Sequence, residues 1–436
     1  MESLHYLVQL NPVMVSAVIL IIAYIFIAWE KISKVTVALL GAGITLFLGL
    51  LGPSKDMPNY FVNYIDFSVI FLLVSMMIIV HISARSGIFK WLANEILKFT
   101  KGKPKLVLFA LAVFTAVASA FLDNVTTVIL VMPITFAVCK KLDINPVIFL
   151  ITEILCSNIG GTSTLIGDPP NIIIGSAAGF SFMDFINELT AIVLIIMLVT
   201  IGIMIFLFRK DLKSTQEKMD EVAKIDNSRS VRSKPLAIRS ALVLGFVIIG
   251  FVTHDITHIP TYLMAMLGAA LLLIFEKPQK VLVNVEWNTI FFFIGLFIII
   301  GGLEASGGID LMAKWLLDVA KGSQTTMSLI ILWASGILSG IIDNIPYTAT
   351  MAPMLAKIQA IEGSRYTHPL WWCLSLGACL GGNMTLIGAA ANVIVCETAQ
   401  KHGCKISFAE YLKYGVSITF ISLILSTIYI WIRYLR

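Results

Sequence analysis

Residues 157–171 interrupt a stretch of sequence that is otherwise apolar and long enough to cross a bilayer. The interruption contains a Gly-Gly pair, which lowers helix propensity, and a Pro-Pro pair, which lacks backbone donors, so no continuous helix is expected through it. It also carries hydroxyls, two amides and a carboxylate. Irregular backbone at membrane depth is tolerated where it is buried in protein or lines a water-filled cavity. These polar groups therefore predict a site for a substrate or an ion.

A second interruption at residues 378–392 repeats the first at an offset of 221 residues. A broken membrane helix exposes free carbonyls at one half-helix end and free amides at the next start, so it can accept a cation or an anion. A packing kink is the alternative, but kinks rarely need both paired glycines and a cluster of hydroxyls. The candidate ligands are Asn158, Gly160, Gly161, Thr162, Ser163, Thr164, Asp168 and Asn171 in the first interruption, and Gly381, Gly382, Asn383, Thr385 and Asn392 in the second.

An Asp-Asn dipeptide also occurs twice, as Asp123-Asn124 and as Asp343-Asn344. Each dipeptide separates two apolar stretches and is expected at the tip of a re-entrant hairpin. Asp and Asn favour turns and helix N-caps, so simple capping of the second arm is the alternative. A carboxylate near the membrane midplane is costly, however, and indicates a functional role. These four residues and Thr126 complete the predicted set of substrate or ion ligands.

The two copies differ in ionisable groups near the interruption. Asp168 has Ala389 as its counterpart, and Glu153 has Leu374. Burial disfavours a charged carboxylate unless a cation compensates, so such a group can exchange H⁺ for Na⁺. The alternatives are a helix cap for Asp168 and a contact with a polar neighbour for Glu153. The predicted proton- or cation-coupling residues are Asp123, Asp343, Asp168 and Glu153, with candidate Na⁺ sites at Asp123/Asn158 and Asp343/Asn383.

The composition indicates the elements that position these groups. The 436 residues are 58% hydrophobic and 13% charged, with a mean hydropathy of +0.92, whereas soluble proteins are about 25% charged. Apolar blocks of ~17–25 residues match the hydrocarbon thickness of a bilayer. The net charge of +5 comes from basic loops between these blocks, so nucleic acid is not an expected partner. We predict an all-α polytopic membrane protein in contact with lipid, and expect its six cysteines to pack as small hydrophobes.

Residues 66–124 align without gaps with residues 286–344, at an offset of 220. This self-similarity divides the chain into two halves. We predict two repeats of about five transmembrane helices each, every repeat having one broken helix and one re-entrant hairpin. The predicted units are a first repeat 1–208 with hairpin 105–138 and broken helix 146–178, a charged cytoplasmic linker 209–234, and a second repeat 235–436 with hairpin 325–356 and broken helix 369–396.

Charge distribution predicts how the repeats are oriented. Five crossings per repeat would invert the second repeat relative to the first. With the N-terminus outside, the predicted cytoplasmic loops hold 24 of the 31 Lys and Arg residues, and the external loop 179–188 has none. In the alternative, parallel arrangement of the repeats, the basic linker is cytoplasmic only if one of the predicted spans is shifted. We therefore predict inverted repeats in the cell membrane, with both termini on the extracytoplasmic side.

The run NIGGTSTLIGDPPNIIIGS at 158–176 resembles the signature of the arsenite permease and melanosomal P-protein branch of the ion transporter superfamily. That superfamily also includes citrate-type carriers, a class of Na⁺/H⁺ antiporters and, more distantly, dicarboxylate/Na⁺ symporters. The resemblance covers nearly the whole chain, including the Asp-Asn tips. It implies a homodimer in which residues 105–178 and 325–396 move across the bilayer as a block against a scaffold.

The chain departs from two members of this group. Arsenite efflux permeases proper differ around the first hairpin tip, and the GDPPN run is nearer to the P-protein type. Dicarboxylate carriers have a Ser-Asn-Thr triplet both at the hairpin tips and at the helix breaks. This chain instead has Asp123 and Asp343 at the predicted tips. Two added negative charges would repel a dianion.

The leading hypothesis is a secondary active transporter for a small inorganic ion or oxyanion of the arsenite efflux type, coupled to H⁺ or Na⁺ through an elevator-like motion. The alternatives are a Na⁺/H⁺ antiporter, a citrate- or dicarboxylate-type carrier and, more remotely, an ion channel. Paired intramembrane aspartates also occur in aspartyl proteases, but the Gly-x-Gly-Asp motif is missing, so no enzyme is predicted. No cofactor is expected beyond Na⁺ as a coupling ion. Without a P-loop, coupling to ATP would need a separate ATPase subunit.

Overall fold

The computed structural model describes residues 11–29, 31–52, 57–224, 227 and 230–436, and every regular element in these ranges is a helix. The helices before the linker are α1 Pro12–Trp29, α2 Lys34–Phe47, α3 Met57–Tyr64, α4 Phe67–Ser86, α5 Ile88–Phe99, α6 Pro104–Ser119, α7 Asn124–Leu142, α8 Pro146–Gly161, α9 Pro169–Ala178 and α10 Phe182–Leu207. The linker contains α11 Gln216–Ala223.

The remaining helices are α12 Lys234–Val252, α13 His254–Thr257, α14 Thr261–Leu273, α15 Pro278–Leu282, α16 Trp287–Ala305, α17 Gly308–Ala320, α18 Gln324–Ile342, α19 Asn344–Glu362, α20 Ser364–Gly381, α21 Ala390–Lys401 and α22 Phe408–Tyr434. A short 3₁₀ turn, Leu386–Gly388, lies between α20 and α21. In the described chain, eight helices are long and apolar enough to cross a membrane: α1, α4, α7, α10, α12, α16, α18 and α22. The prediction of an all-helical polytopic membrane protein is therefore confirmed.

Equivalent positions of the two halves bend the chain in the same way. Gly87 ends α4 with φ +85°, and Gly307 follows α16 with φ +86°. Lys101 and Lys321 take φ +51° and +49°, and the next residue of each is a glycine that also has positive φ. A left-handed conformation favours glycine and is uncommon for lysine. The same pair of turns therefore follows α5 and α17.

Local chemistry explains where the helices around the predicted site begin and end. Asn145 caps α8 by accepting a hydrogen bond from the Val147 amide (3.0 Å), with Pro146 at the first helical position. Helix α8 ends at Gly161 and α9 begins at Pro169, so residues 162–168 form a non-helical segment. In the second half α20 ends at Gly381, and α21 begins nine residues later. Both predicted interruptions coincide with these gaps between helices.

Glycines allow the predicted hairpin arms to approach the interrupted helices closely. A Cβ on Gly160 would overlap the carbonyl oxygen of Ala116 in α6. At the equivalent position of the second half, a Cβ on Gly381 would lie 2.5 Å from the carbonyl oxygen of Gly336 in α18. Small residues at such crossings bring helix backbones together. The two helix pairs α6/α8 and α18/α20 therefore pack through matching positions.

The linker packs on the end of α7, an arm of the first predicted hairpin. The Ser214 hydroxyl donates to the Leu142 carbonyl (2.7 Å), and the Lys218 ammonium pairs with Asp143 (2.7 Å). Both contacts lie at the end of α7, so the charged segment is held against the hairpin arm.

Candidate ion and substrate site

Two asparagines, Asn171 and Asn392, satisfy the backbone carbonyls that the interruptions leave free. The Asn171 amide donates to the carbonyls of Thr162 (3.0 Å) and Thr164 (2.9 Å). The Asn392 amide donates to those of Gly382 (2.7 Å) and Thr385 (2.9 Å). Each asparagine is the third residue of the helix after its break and so lies in the first turn. Because buried carbonyls need partners, these side chains stabilise the non-helical backbone.

The oxygens of the same asparagines join the two halves. Asn171 Oδ1 accepts from the Ser375 hydroxyl (2.6 Å), and Asn392 Oδ1 accepts from the Asn158 amide (3.0 Å). Asn158 also donates to Asn383 Oδ1 (2.9 Å). All of these side chains are fully buried. The two interruptions are thus held to each other by a fully buried hydrogen-bond network.

The hydroxyls at the interruptions contact backbone. Thr162 Oγ1 donates to the Asn158 carbonyl (2.8 Å) and Ser163 Oγ to the Gly160 carbonyl (2.6 Å). Thr164 Oγ1 donates to the carbonyl of Ala120, which precedes the first hairpin tip. At the equivalent positions, Thr385 Oγ1 donates to the Gly340 carbonyl (2.5 Å). Thr164 and Thr385 therefore connect each interruption to the segment before the Asp-Asn dipeptide of its own half, whereas Thr162 and Ser163 bond to carbonyls of α8. The role of these hydroxyls as ligands stays a prediction.

A cavity of about 470 Å³ lies where the two hairpin tips meet α9, α21, α4 and the start of α16. Within the described chain, its lining contains no Lys, Arg or His. The polar residues that line it are Asp123, Asn124, Asp168, Glu286, Asn288, Thr289 and Asn344. Four of these were predicted as ligands (Asp123, Asn124, Asp168 and Asn344), and they come from both halves of the chain.

Because Asp123, Asp168 and Glu286 line this cavity, we refer to it as the acidic cavity. Asp168 is its most deeply buried carboxylate, at 1% exposure. Its two oxygens each lie 3.3 Å from the Asn344 amide nitrogen, which donates to them from the second hairpin tip. Asp168 stands at the N-cap position of α9, but its side chain makes no capping hydrogen bond to that helix, and its coupling role stays a prediction. The Pro169 nitrogen that follows it carries no hydrogen to donate. The carboxylate is therefore directed into the cavity.

Asp123 and Asn124 form the other wall. Asp123 caps α7, accepting from the Thr126 amide (2.8 Å) and the Thr126 hydroxyl (2.5 Å). The Asn124 side-chain amide lies between Ser119 and Gly167 and so connects the first tip to the first interruption. A Cβ on Gly161 would come within 2.5 Å of Asn124 Oδ1. The glycine therefore leaves room for the tip.

Glu286 is a functional candidate that the sequence patterns did not reveal. It precedes α16 and lines the acidic cavity. It accepts from Thr289 Oγ1 (3.2 Å) but makes no capping bond to the helix. Its counterpart at an offset of 220, Asp66, does cap α4 through the Ser68 and Val69 amides. An acid at the start of both aligned segments was the available signal, and only the fold shows that Glu286 faces Asp123.

Asp343 has a different environment from Asp123. It is 2% exposed, and its Oδ2 lies 2.6 Å from the Lys34 ammonium at the start of α2. It also caps α19 through the Ile345 amide (3.1 Å), and its φ of +114° is a strained value for a non-glycine residue. Asp343 is not among the lining residues of the acidic cavity. Lys34, a second residue missed from the sequence, compensates its charge.

Glu153 lies between α7 and α8, away from the acidic cavity. Its Oε1 accepts from Thr135 Oγ1 (2.5 Å), and within the described residues its Oε2 has no hydrogen-bond partner. This contact matches the alternative of a polar neighbour, and the proposed coupling role is untested. Neither candidate Na⁺ pair is joined by hydrogen bonds, because Asn158 and Asn383 bond to each other while Asp123 bonds to Thr126. The described chain holds no cluster of three His, Cys, Asp or Glu side chains suited to a metal ion.

Comparison with known proteins gives the family. A family model described as citrate transporter (CitMHS) matches residues 24–377. A 46 kDa membrane protein of Mycobacterium leprae is 40% identical over 424 residues, covering 97% of this chain and 99% of that protein. An uncharacterized transporter of Mycobacterium tuberculosis is 40% identical over 423 residues, covering 96% and 98%. The human P protein is 30% identical over 505 residues, covering 97% of this chain and 60% of the P protein.

Among solved structures, the YdaH transporter of Alcanivorax borkumensis superposes with a TM-score of 0.59, covering 97% of this chain and 98% of that chain. At 11% identity this shows a common fold alone. The predicted superfamily and the relation to P protein are confirmed, and the arsenite-permease branch stays a prediction. The chain therefore belongs to the citrate transporter family (CitMHS) within the ion transporter superfamily: it is a secondary transporter, not an enzyme, and an integral multi-pass membrane protein.

Proposed function

We propose that this transporter couples the movement of a small substrate to H⁺ or Na⁺, and that the acidic cavity binds the coupling cation. One observation carries the proposal. Asp123, Asp168 and Glu286 line a single cavity, and no described lining residue is cationic. Three carboxylates in a partly dry site repel one another and cannot all remain charged without a proton or a metal cation. Cation binding therefore follows from the charge balance of the cavity.

The same charge balance constrains the substrate. An anion entering before the cation would face three carboxylates, so the substrate is neutral or enters together with cations. Arsenite, which at neutral pH is largely uncharged As(OH)₃, satisfies the first condition. Its hydroxyls can donate to Asp168 and accept from the Asn344 amide beside it. A small uncharged oxyacid is thus the leading substrate class, moved by coupled secondary transport.

A citrate-type substrate is the second candidate, and the family match over residues 24–377 favours it. Citrate carries up to three negative charges and would need cations bound at Asp123, Asp168 or Glu286 to enter this cavity. Na⁺/H⁺ antiport without an organic substrate is a third outcome, because three neighbouring carboxylates can exchange the two cations directly. The three candidates differ in which solute crosses the membrane.

We also propose that the chain is built as two inverted repeats, with α6–α7 and α18–α19 as re-entrant hairpins. Support comes from the matched backbone turns and the equivalent glycine contacts in the two halves. The hairpins and interrupted helices form one block through the buried asparagine network, whereas α4 and the start of α16 belong to the proposed scaffold. The acidic cavity lies between these two parts, the position required for an elevator-like motion. A homodimer is proposed from the family resemblance.

The test is solute flux into proteoliposomes that contain the purified chain. Uptake of arsenite, citrate and Na⁺ is measured separately under an imposed pH gradient and an imposed Na⁺ gradient. Asp168→Asn and Glu286→Gln are expected to abolish the gradient-driven component. Glu304→Gln is the matched control, because Glu304 lies near the end of α16, the helix that Glu286 precedes, and outside the acidic cavity. Gradient-driven uptake by both cavity variants at the control rate would overturn the proposal.

A further inference from the structure

A second cavity, also of about 470 Å³, shares no lining residue with the acidic cavity. It lies between the bend that joins α4 to α5, the hairpin arm α7 and the end of the linker. In the described part of the chain, no Asp or Glu lines it. Its polar lining residues are Lys90, Asn94, Lys141, Ser230 and Arg232. We refer to it as the basic cavity.

Three cations converge on the basic cavity from three different elements. Lys90 lies on α5, Lys141 on α7 and Arg232 in the linker, and all three are exposed. Within the described ranges none of them forms an ion pair with a carboxylate. Like charges held around one space repel each other. An anion bound between them would remove that repulsion.

Specific contacts build this arrangement. The Asn94 amide donates to Ser230 Oγ (3.0 Å), and the Arg232 backbone amide donates to the Ser86 carbonyl (2.9 Å). A Cβ on Gly87, where φ is +85°, would overlap the Ser230 carbonyl oxygen. The linker is therefore seated on the α4–α5 bend, and this contact brings Arg232 to the cavity.

Glu95, on the same helix as Lys90 and Asn94, is engaged by other partners. The Asn227 amide donates to the Glu95 carboxylate (2.7 Å), and the Lys98 ammonium lies 2.8 Å from the same oxygen. These two contacts hold the pKa of Glu95 below its usual range. The Glu95 charge is therefore engaged by Asn227 and Lys98, and Glu95 is not among the described lining residues of the basic cavity.

The wall of the basic cavity along α7 is apolar. Ile129, Pro133 and Ala137 recur every four residues, are exposed, and lead to Lys141 at the next such position. Residues four apart lie on one face of a helix. From Ile129 to Lys141 this stripe measures about 18 Å at ~1.5 Å per residue, close to the ~15 Å of one bilayer leaflet. It is long enough to contact one acyl chain.

We propose that the basic cavity binds an anionic phospholipid, with its phosphate among Lys90, Lys141 and Arg232 and one acyl chain along the α7 stripe. Basic residues next to a membrane helix attract anionic head groups. A soluble phosphate could use the cations but not the stripe. The apolar wall, exposed on a helix that is long and apolar enough to span a membrane, therefore favours a lipid. Bound there, the lipid joins the hairpin arm to the α5–linker unit.

The test is thermal unfolding of the purified full chain in detergent, titrated with phosphatidylglycerol, phosphatidylcholine or inorganic phosphate. Saturable stabilisation by phosphatidylglycerol alone is expected. At about fivefold in affinity per cation, the triple change Lys90→Gln, Lys141→Gln and Arg232→Gln should weaken phosphatidylglycerol binding on the order of 100-fold. Lys140→Gln is the matched control, because Lys140 is an exposed neighbour on α7 outside the basic cavity.

Two further results distinguish the sources of the anion. Ala137→Trp obstructs the stripe without changing charge, so it should weaken phosphatidylglycerol binding at least tenfold, and Arg232→Gln alone should weaken it about fivefold. Both changes are at exposed positions, so they remain informative if the triple variant does not fold. Equal stabilisation by inorganic phosphate would show a site for a free anion and overturn the lipid assignment. Unchanged phosphatidylglycerol binding in Ala137→Trp and Arg232→Gln would overturn it as well.

Discussion

The ion pair between Lys34 and Asp343 is expected to stabilise the contact between α2 and the second hairpin tip. Lys34→Gln removes the ammonium that lies 2.6 Å from Asp343 Oδ2. The carboxylate then remains buried, at 2% exposure, without this cation. Asp343 also holds a strained φ of +114°, and such a conformation persists only when surrounding contacts maintain it. We therefore expect Lys34→Gln to be less stable than the wild type.

The magnitude follows from burial. Removing one partner of a fully buried ion pair costs about 3–5 kcal/mol. Since the Lys34 side chain is 24% exposed, water screens the pair in part, and we expect about 2–4 kcal/mol. At an unfolding entropy of about 2.1 cal/mol/K per residue, each kcal/mol lowers the Tm of a chain this long by about 1 °C. The expected decrease in Tm is therefore about 2–4 °C.

The assay is a double-mutant cycle read by thermal unfolding of the purified chain in detergent. Lys34→Gln with Asp343→Asn replaces the ion pair by two neutral amides, so it should recover most of the loss, with a coupling free energy of about 2 kcal/mol. Lys357→Gln is the control, because its ammonium lies 3.7–3.8 Å from two partly exposed acids and should matter by less than about 1 kcal/mol. A Lys34→Gln protein as stable as Lys357→Gln would refute the reasoning, as would strictly additive losses.

Three further predictions concern the interruptions and the topology. Gly160→Ala places a methyl group against an α6 carbonyl and should destabilise the chain by about 1–3 kcal/mol in denaturant unfolding, whereas Gly202→Ala, which meets open space, should not. Asn392→Ala leaves two buried carbonyls without this donor and should cost about 1–3 kcal/mol for each carbonyl; wild-type stability would contradict its proposed role. Cysteines introduced as Asn187→Cys and Glu217→Cys should react with an impermeant maleimide from opposite sides of the membrane, and same-side labelling would contradict the inverted repeats.

Much of the architecture was predictable from local chemistry. Hydropathy over windows of membrane length marked the spans, because a bilayer admits only helices whose backbone groups are satisfied internally. The Gly-Gly and Pro-Pro pairs marked the first interruption, and α8 and α9 end and begin at these pairs. Asp123 and Asp343 both cap the helix that follows them, as Asp does at turns. These features depend on neighbours in the chain, which a sequence pattern can record.

The role of each residue within the site depended on the tertiary structure. Asn158, Asn171, Asn383 and Asn392 were predicted as ligands from the sequence. In the fold, Asn158 donates to Asn383 and Asn392 of the other half, Asn171 accepts from Ser375, and Asn171 and Asn392 also satisfy free carbonyls. Glu286 was not predicted from the sequence, and packing places it in the same cavity as Asp123.

Sequence alone identified the polar residues within the apolar segments. Burying a polar group in a membrane costs free energy, so such residues are rare there and are easily recognised in the sequence. The sequence also predicted the two repeats, since Asp123 and Asp343 occupy equivalent positions in the aligned segments. Only the tertiary structure decided that Asp123 faces a cavity while Asp343 pairs with Lys34. The charge state and exposure of a side chain depend on residues hundreds of positions away, and no local pattern records which of those residues the fold brings into contact.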